Sequence, residues 1–279
     1  MTKNLVSVKW LHKNFKNPDL IILDASQENN VSGLIPKYKK IQIKGARFFD
    51  IKNTFSDKKS HLPNTLPSVE DFEKECQNIG INNNSLIVVY DNLGIYTSPR
   101  VWWMFKIMGH KNVAVVKGGL TGWDETYYDV EPTIIRKYLK GNFKANYNSK
   151  LKCSKEFILN NLNSENYLVI DARSEERFSG LIPEPREGIR SGHIPNSINL
   201  HYKQVLNEGK FQSKRRLFKI FKNIQSEGKS LIFTCGSGIT ACILFLANEL
   251  VAENPKSVYD DSWTEWGQLE KLPIEKSEN

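Results

Sequence analysis

The chain has 279 residues, 39% of them hydrophobic and 25% charged, with 17 glycines and 11 prolines, a composition that excludes disordered, low-complexity and collagen-like classes and leaves room for two ordinary domains. Its 39 basic and 31 acidic side chains give a formal net charge of +8. That balance attracts anions at long range, but the two dense basic runs, 37–40 and 214–222, accompany no reading module, so no nucleic-acid partner is expected.

Along the chain, the segment Met1 to Trp10 lacks the apolar core and small-residue cleavage site of a secretory leader, and no uninterrupted apolar 18-mer follows; a cytoplasmic protein without a membrane partner is expected. Leu20 to Ala25 reads as a short strand ending in an aspartate. Ser68 caps an expected helix from Val69 to Ile79, and Leu86 to Tyr90 is a strong strand followed by a turn at Asp91 to Gly94. An aromatic helix over 101–108, with Trp102, Trp103 and Phe105 read as core, leads to a strand over 113–116 and a turn over 118–123. Periodicity then fades, and 136–152 is the expected linker between domains at 1–135 and 153–279.

The second half repeats the first. Tyr167 to Arg173 echoes Ile21 to Ser26, and Gly192 to Leu200 sits where Lys44 to Phe49 sat. Ser230 to Cys235 with its helix echoes Ser85 to Asp91 with its own, and Ser257 to Trp266 parallels Asn112 to Trp123. Four landmarks in constant order predict an α/β fold built by tandem duplication, each copy a mainly parallel sheet flanked by helices. The copies differ where ligands gather in such folds, at the carboxyl end of a central strand: the second has Cys235 and the first Asp91.

Leu231 to Thr234 ends at Cys235, Gly236-Ser237-Gly238 makes a turn, and an apolar helix begins near Thr240 or Ala241. If the loop amides converge, they form an anion-binding nest whose field adds to the positive helix end, favouring the thiolate of Cys235. Gly236 and Gly238 permit the close approach, and Ser237 and Thr240 offer hydroxyls. Cys76, Cys153 and Cys242 share no CxxC pairing with it, so reduced thiols are expected and no metal or other cofactor.

The combination resembles the two-domain sulfurtransferases of rhodanese type, most closely the 3-mercaptopyruvate sulfurtransferases. The matching residues are Asp91, Pro99 to Phe105, Gly109-His110, Gly118 to Leu120 and Trp123; then Asp171 to Arg173, Arg177-Phe178, Glu184 to Pro195, Cys235 to Thr240, and Val258 to Asp260 with Ser262-Trp263 and Glu265-Trp266. The resemblance implies that Cys235 accepts sulfur as a persulfide. It also implies that Arg177 and Arg186 hold a small anionic donor, with Gly236, Gly238 and Ile239 lining its site, and that a thiol acceptor, such as a thioredoxin-like protein, or cyanide takes the sulfur on. Cys-Gly-Ser-Gly resembles the loop of mercaptopyruvate-preferring members, where thiosulfate-preferring ones resemble Cys-Arg-Lys-Gly. Ala241 stands where the related cysteine phosphatases need an arginine. Two departures stand out. The family's Pro-His-Met-Leu-Pro reads Pro63-Asn64-Thr65-Leu66-Pro67, so a Ser-His-Asp relay lacks its histidine at Asn64 with only His61 nearby, and the glycine usual after Tyr-Asp is Asp261. A thiosulfate:cyanide sulfurtransferase and a noncatalytic sulfur carrier are the rival readings.

Overall fold

The computed structural model describes residues 3–28, 30 and 33–277; Met1 and Thr2 of the amino-terminal segment discussed above lie outside them. The chain forms two compact units. The first holds residues up to Lys58, Leu66–Asn148 and Glu208–Lys210; the second holds Lys59–Thr65, Ser149–Asn207 and the residues from Phe211 onward.

In unit 1, five parallel strands, β1 (Leu5–Val6), β2 (Leu20–Asp24), β3 (Arg47–Phe48), β4 (Leu86–Tyr90) and β5 (Val113–Val116), lie in the order β1-β5-β4-β2-β3. β4 and β5 are continuous aliphatic runs because both faces of a parallel sheet are covered. Helix α1 (Val69–Asn78) starts where Ser68 Oγ accepts the Asp71 amide at 3.1 Å, and its i, i+4 pair Phe72 and Cys76 is buried. Helix α2 (Ser98–Ile107) carries Pro99 in its first turn, where a missing N–H costs nothing, and buries Trp102, Trp103 and Phe105 completely, as the sequence predicts for core aromatics. Helix α3 (Gly119–Asp124) follows β5.

The segment expected as a linker does not run free: the amides of Gly141, Phe143, Asn146 and Asn148 donate to carbonyls of Gln77, Ile81, Met108 and Ile107. Polar composition signalled solvent, but the backbone is what binds this strap to unit 1.

Unit 2 repeats the plan with β6 (Lys152–Cys153), β7 (Tyr167–Asp171), β8 (Ile198–Asn199), β9 (Ser230–Thr234) and β10 (Lys256–Tyr259), all parallel and in the matching order β8-β7-β9-β10-β6. Helix α4 (Glu175–Phe178) is a single turn. Basic helix α5 (Lys214–Asn223) buries only Leu217 and Phe221 along one stripe, α6 (Ala241–Glu249) is buried nearly throughout, and α7 (Ser262–Gln268) follows β10. The copies agree bond by bond. Ala25 N–H donates to Tyr90 O at 2.8 Å and Ala172 to Thr234 at 2.9 Å; Leu120 donates to Asp91 O at 3.0 Å and Trp263 to Cys235 O at 2.9 Å. Asp91 and Cys235 therefore occupy one structural position in a duplicated α/β unit.

Candidate active site

Cys235 follows the last residue of β9 and is 2% exposed. The chain turns through Gly236, Ser237, Gly238 and Ile239 to Thr240, which adjoins the first residue of α6 and makes no side-chain cap bond. Gly238 has φ +78°, a value that glycine adopts without steric cost. Among the described residues no backbone carbonyl takes the amides of Gly236, Ser237, Ile239 or Thr240. These N–H groups and the buried helix start give the loop the positive field that the sequence predicts for an anion cradle.

In unit 1 the equivalent cradle is filled from within. Asp91 Oδ2 accepts the amides of Tyr96, Thr97 and Ser98 at 2.9, 3.1 and 2.9 Å and the Ser98 hydroxyl at 2.6 Å, while Oδ1 takes the Leu93 amide at 3.0 Å. A fixed carboxylate thus occupies the anion position that the second copy leaves to a cysteine.

The two arginines singled out in the sequence reach the loop differently. Arg177, on α4, is held by Glu184: Nε donates to Oε1 at 3.1 Å and Nη2 to Oε2 at 2.5 Å. The side chain of Glu184 is only 2% exposed and also takes Arg173 Nη1 at 2.9 Å, and Arg173 in turn is clamped to Asp171. Two of Arg177's five hydrogens are spent on Glu184, leaving Nη1 and one hydrogen of Nη2. The same end of the guanidinium lies against Gly236, where a Cβ would meet Nη2 at 3.0 Å. Arg186 reaches other residues of the site, its Nη2 3.5 Å from Ser237 Oγ and its Nη1 3.4 Å from Thr264 Oγ1. Thr264 also binds the Gly236 carbonyl through both its amide and its hydroxyl.

Asn64 belongs to unit 2, and its Nδ2 donates to Ser237 Oγ at 3.1 Å and Ser237 O at 3.3 Å. His61 is exposed, so the group beside the loop serine is an amide that holds no exchangeable imidazole proton. The next residue, Thr65, donates to Asp261 Oδ1 at 2.9 Å. Burial and the neighbouring Asp260 raise the Asp261 carboxyl above its ordinary value, partly offset by Lys152 3.9 Å away and the Thr65 hydroxyl. The structure therefore brings Cys235, Ser237, Thr240, Arg177, Arg186, Gly236, Gly238 and Ile239 to one loop. Glu184, Thr264 and Ser262 join them unforeseen: Thr264 and Ser262 meet the loop from 28 and 27 residues away, and Glu184 holds Arg177 and Arg173 within its own irregular segment. Sequence offered one signal for Glu184, a carboxylate two residues before Arg186 in a segment rich in arginine.

The other three cysteines are buried too. Burial pushes Cys153 up to about 12 and Cys76 well above its ordinary value, which keeps both protonated and unreactive. Cys242 is buried on α6, its thiol 3.3 Å from Gly238 O, in agreement with its reading as a small core residue.

Comparison with known proteins matches this geometry. The rhodanese-like domain model matches residues 7–126 and again 154–269. The chain is 38% identical to thiosulfate/3-mercaptopyruvate sulfurtransferase 1, mitochondrial, of Arabidopsis thaliana, over 99% of this chain and 79% of that protein. It is 37% identical to thiosulfate sulfurtransferase of Rattus norvegicus, over 94% and 91% of the two chains. The crystal structure of a 3-mercaptopyruvate sulfotransferase from Escherichia coli superposes with a TM-score of 0.82 at 30% identity, covering 94% of this chain and 99% of that one. With both halves matched and the cysteine in the second, the chain belongs to the rhodanese family, as a two-domain sulfurtransferase related to the 3-mercaptopyruvate and thiosulfate sulfurtransferases.

Proposed function

We propose that the chain moves sulfur from 3-mercaptopyruvate to a thiol or cyanide acceptor through a persulfide on Cys235, releasing pyruvate. The observation that supports this donor is the fit of Arg177 against Gly236. The glycine leaves the guanidinium's free edge beside the cysteine loop, where a carboxylate is taken in a fork. A bulkier or cationic residue at 236 would compete for that space.

The Cys235 thiolate attacks the donor's sulfur. A sulfur–sulfur bond forms, the carbon–sulfur bond breaks, and its electron pair leaves on carbon as the enolate of pyruvate, which takes a proton. Ser237 suits that delivery as a relay, passing its hydrogen to the carbon and regaining one from the S–H of the transferred sulfur: its oxygen accepts from Asn64 and faces Arg186, so its own hydrogen is directed elsewhere. Asn64 fixes the hydroxyl without removing its proton, which replaces a histidine relay by a preset donor. Arg177 and Arg186 hold the carboxylate, and Thr240 offers a second hydroxyl at the helix start. In the second half-reaction an acceptor thiolate or cyanide attacks the outer sulfur and regenerates the Cys235 thiolate, which gives ping-pong kinetics.

The deciding experiment measures pyruvate release from 3-mercaptopyruvate, and turnover of thiosulfate, in the wild type and in Cys235→Ser. The expected result is loss of both in the variant and faster wild-type turnover of mercaptopyruvate. Faster thiosulfate turnover would overturn the donor assignment, and pyruvate release that survives the substitution would overturn the mechanism. Wild type that turns over neither donor would favour the noncatalytic carrier.

A further inference from the structure

Ser262 is the first residue of α7, fully buried, with φ +54°. L residues other than glycine rarely adopt that angle, and when they do the surrounding structure has to hold them there. Unit 1 solves the same turn with a glycine: Gly119 also has φ +54°, and in both copies the following amide, of Leu120 or Trp263, donates to the carbonyl of the residue just after the central strand. A side chain would not fit in unit 1, since a Cβ on Gly119 would lie 2.3 Å from Asp91 O and 2.8 Å from Gly94 O. Only the copy with the cysteine carries a strained residue at this turn.

The hydroxyl of that residue is aimed at the cysteine. Ser262 Oγ accepts the Cys235 amide at 3.2 Å, donates to Tyr259 O at 2.7 Å, and stands 3.9 Å from Cys235 Sγ. It therefore bridges the ends of β9 and β10 at the residue that bears the nucleophile. Its single hydrogen has two acceptors within reach, the Tyr259 carbonyl and the cysteine sulfur.

We propose that Ser262 is a positioning residue for Cys235, its hydroxyl holding the cysteine's backbone amide and turning its hydrogen from the Tyr259 carbonyl to Sγ when that sulfur carries negative charge. The proposal rests on the sulfur-transfer reading of Cys235. No covalent bond changes: the proton stays on the serine oxygen, and the thiolate regenerated in each cycle gains a charge-assisted hydrogen bond. The backbone strain at Ser262 is the cost of placing a hydroxyl where unit 1 has none.

Two variants separate positioning from structure. Ser262→Gly and Ser262→Ala both lose the hydroxyl, and only the first sheds the strain, so the glycine variant has the higher Tm of the two. If the hydroxyl acts on Cys235, both variants lose kcat for pyruvate release by a similar factor, about tenfold, with KM little changed. Iodoacetamide then labels Cys235, followed by peptide mass spectrometry, more slowly by about the same factor. Wild-type kcat and labelling in either variant would overturn the proposal, as would a loss of kcat that follows Tm, large in alanine and small in glycine. The labelling needs no sulfur donor. A wild type inactive on both donors whose Cys235 is still labelled more slowly in the variants would overturn the sulfur-transfer reading while supporting the hold of Ser262 on the cysteine.

Discussion

At the scale of single residues, the site is a chain of side chains that fix one another. Asp171 holds Arg173, Arg173 and Arg177 share Glu184, and Arg177 rests on Gly236 beside the nucleophile. Gly236 is required for its missing Cβ, which would press on the guanidinium, and not for an unusual backbone angle. Gly236→Ala is expected to shift Arg177 by a few tenths of an ångström and to raise KM for mercaptopyruvate severalfold with a smaller change in kcat, as steady-state kinetics would read. If KM held, Arg177 would not be the carboxylate ligand. Cys235 was legible from its own neighbours, because a strand, a glycine turn and a helix start are local features. The partner of Ser237 was not: Asn64 lies 173 positions away, and no periodicity reports a contact of that separation.

At the scale of elements, the two strand-to-helix loops show one backbone device in two states. The nest after β4 is closed by the carboxylate of Asp91, and the one after β9 follows Cys235, with no backbone carbonyl among the described residues taking the amides of Gly236, Ser237, Ile239 or Thr240. Asp91→Ala would strand the buried amides of Tyr96, Thr97 and Ser98, each orphan costing about 1–3 kcal/mol before relaxation or water entry. A loss of about 3 kcal/mol of unit 1 stability is expected, read by chemical denaturation with fluorescence of the buried tryptophans; an unchanged midpoint would show that the carboxylate does not hold the loop. The start of α1 was legible because Ser68 precedes it, and capping is a contact three residues long. The strap over 136–148 was not, because its backbone bonds are made to Gln77, Ile81, Ile107 and Met108, far back in the chain.

At the scale of the molecule, duplication with divergence is the central fact: matching strand order in both units, with Cys235 in one at the position Asp91 holds in the other. The end of the first unit is anchored by Glu131, whose carboxylate accepts two bonds from Arg136 at 2.8 Å, the Gly45 amide at 2.8 Å and Gln42 Nε2 at 2.9 Å. Bonding to Arg136 first, and to Gly45 and Gln42 after it, lowers Glu131 to about 2 against the opposing effect of burial. Because the folded value is depressed, its contribution to stability is complete above the unfolded value near 4.5 and is lost as pH falls through about 2. Between those limits Tm of the wild type should fall more steeply on acidification than that of Glu131→Gln, and parallel profiles would exclude Glu131 as the group responsible. The pair is partly exposed, so solvent and salt screen the effect.

The sequence by itself determined the duplicated α/β architecture and the strand, glycine turn and helix around Cys235, which follow from local periodicity and motif order; Arg177 and Arg186 came only from the family resemblance. Only the tertiary structure decided what surrounds the nucleophile. It seats Asn64 on Ser237, places the Thr264 hydroxyl on the Gly236 carbonyl, and forces Ser262 into a strained turn so that its hydroxyl meets Cys235. Those arrangements depend on which distant segments the packed sheets bring together, and a hydrogen bond between residues far apart in the chain leaves no periodic trace in it.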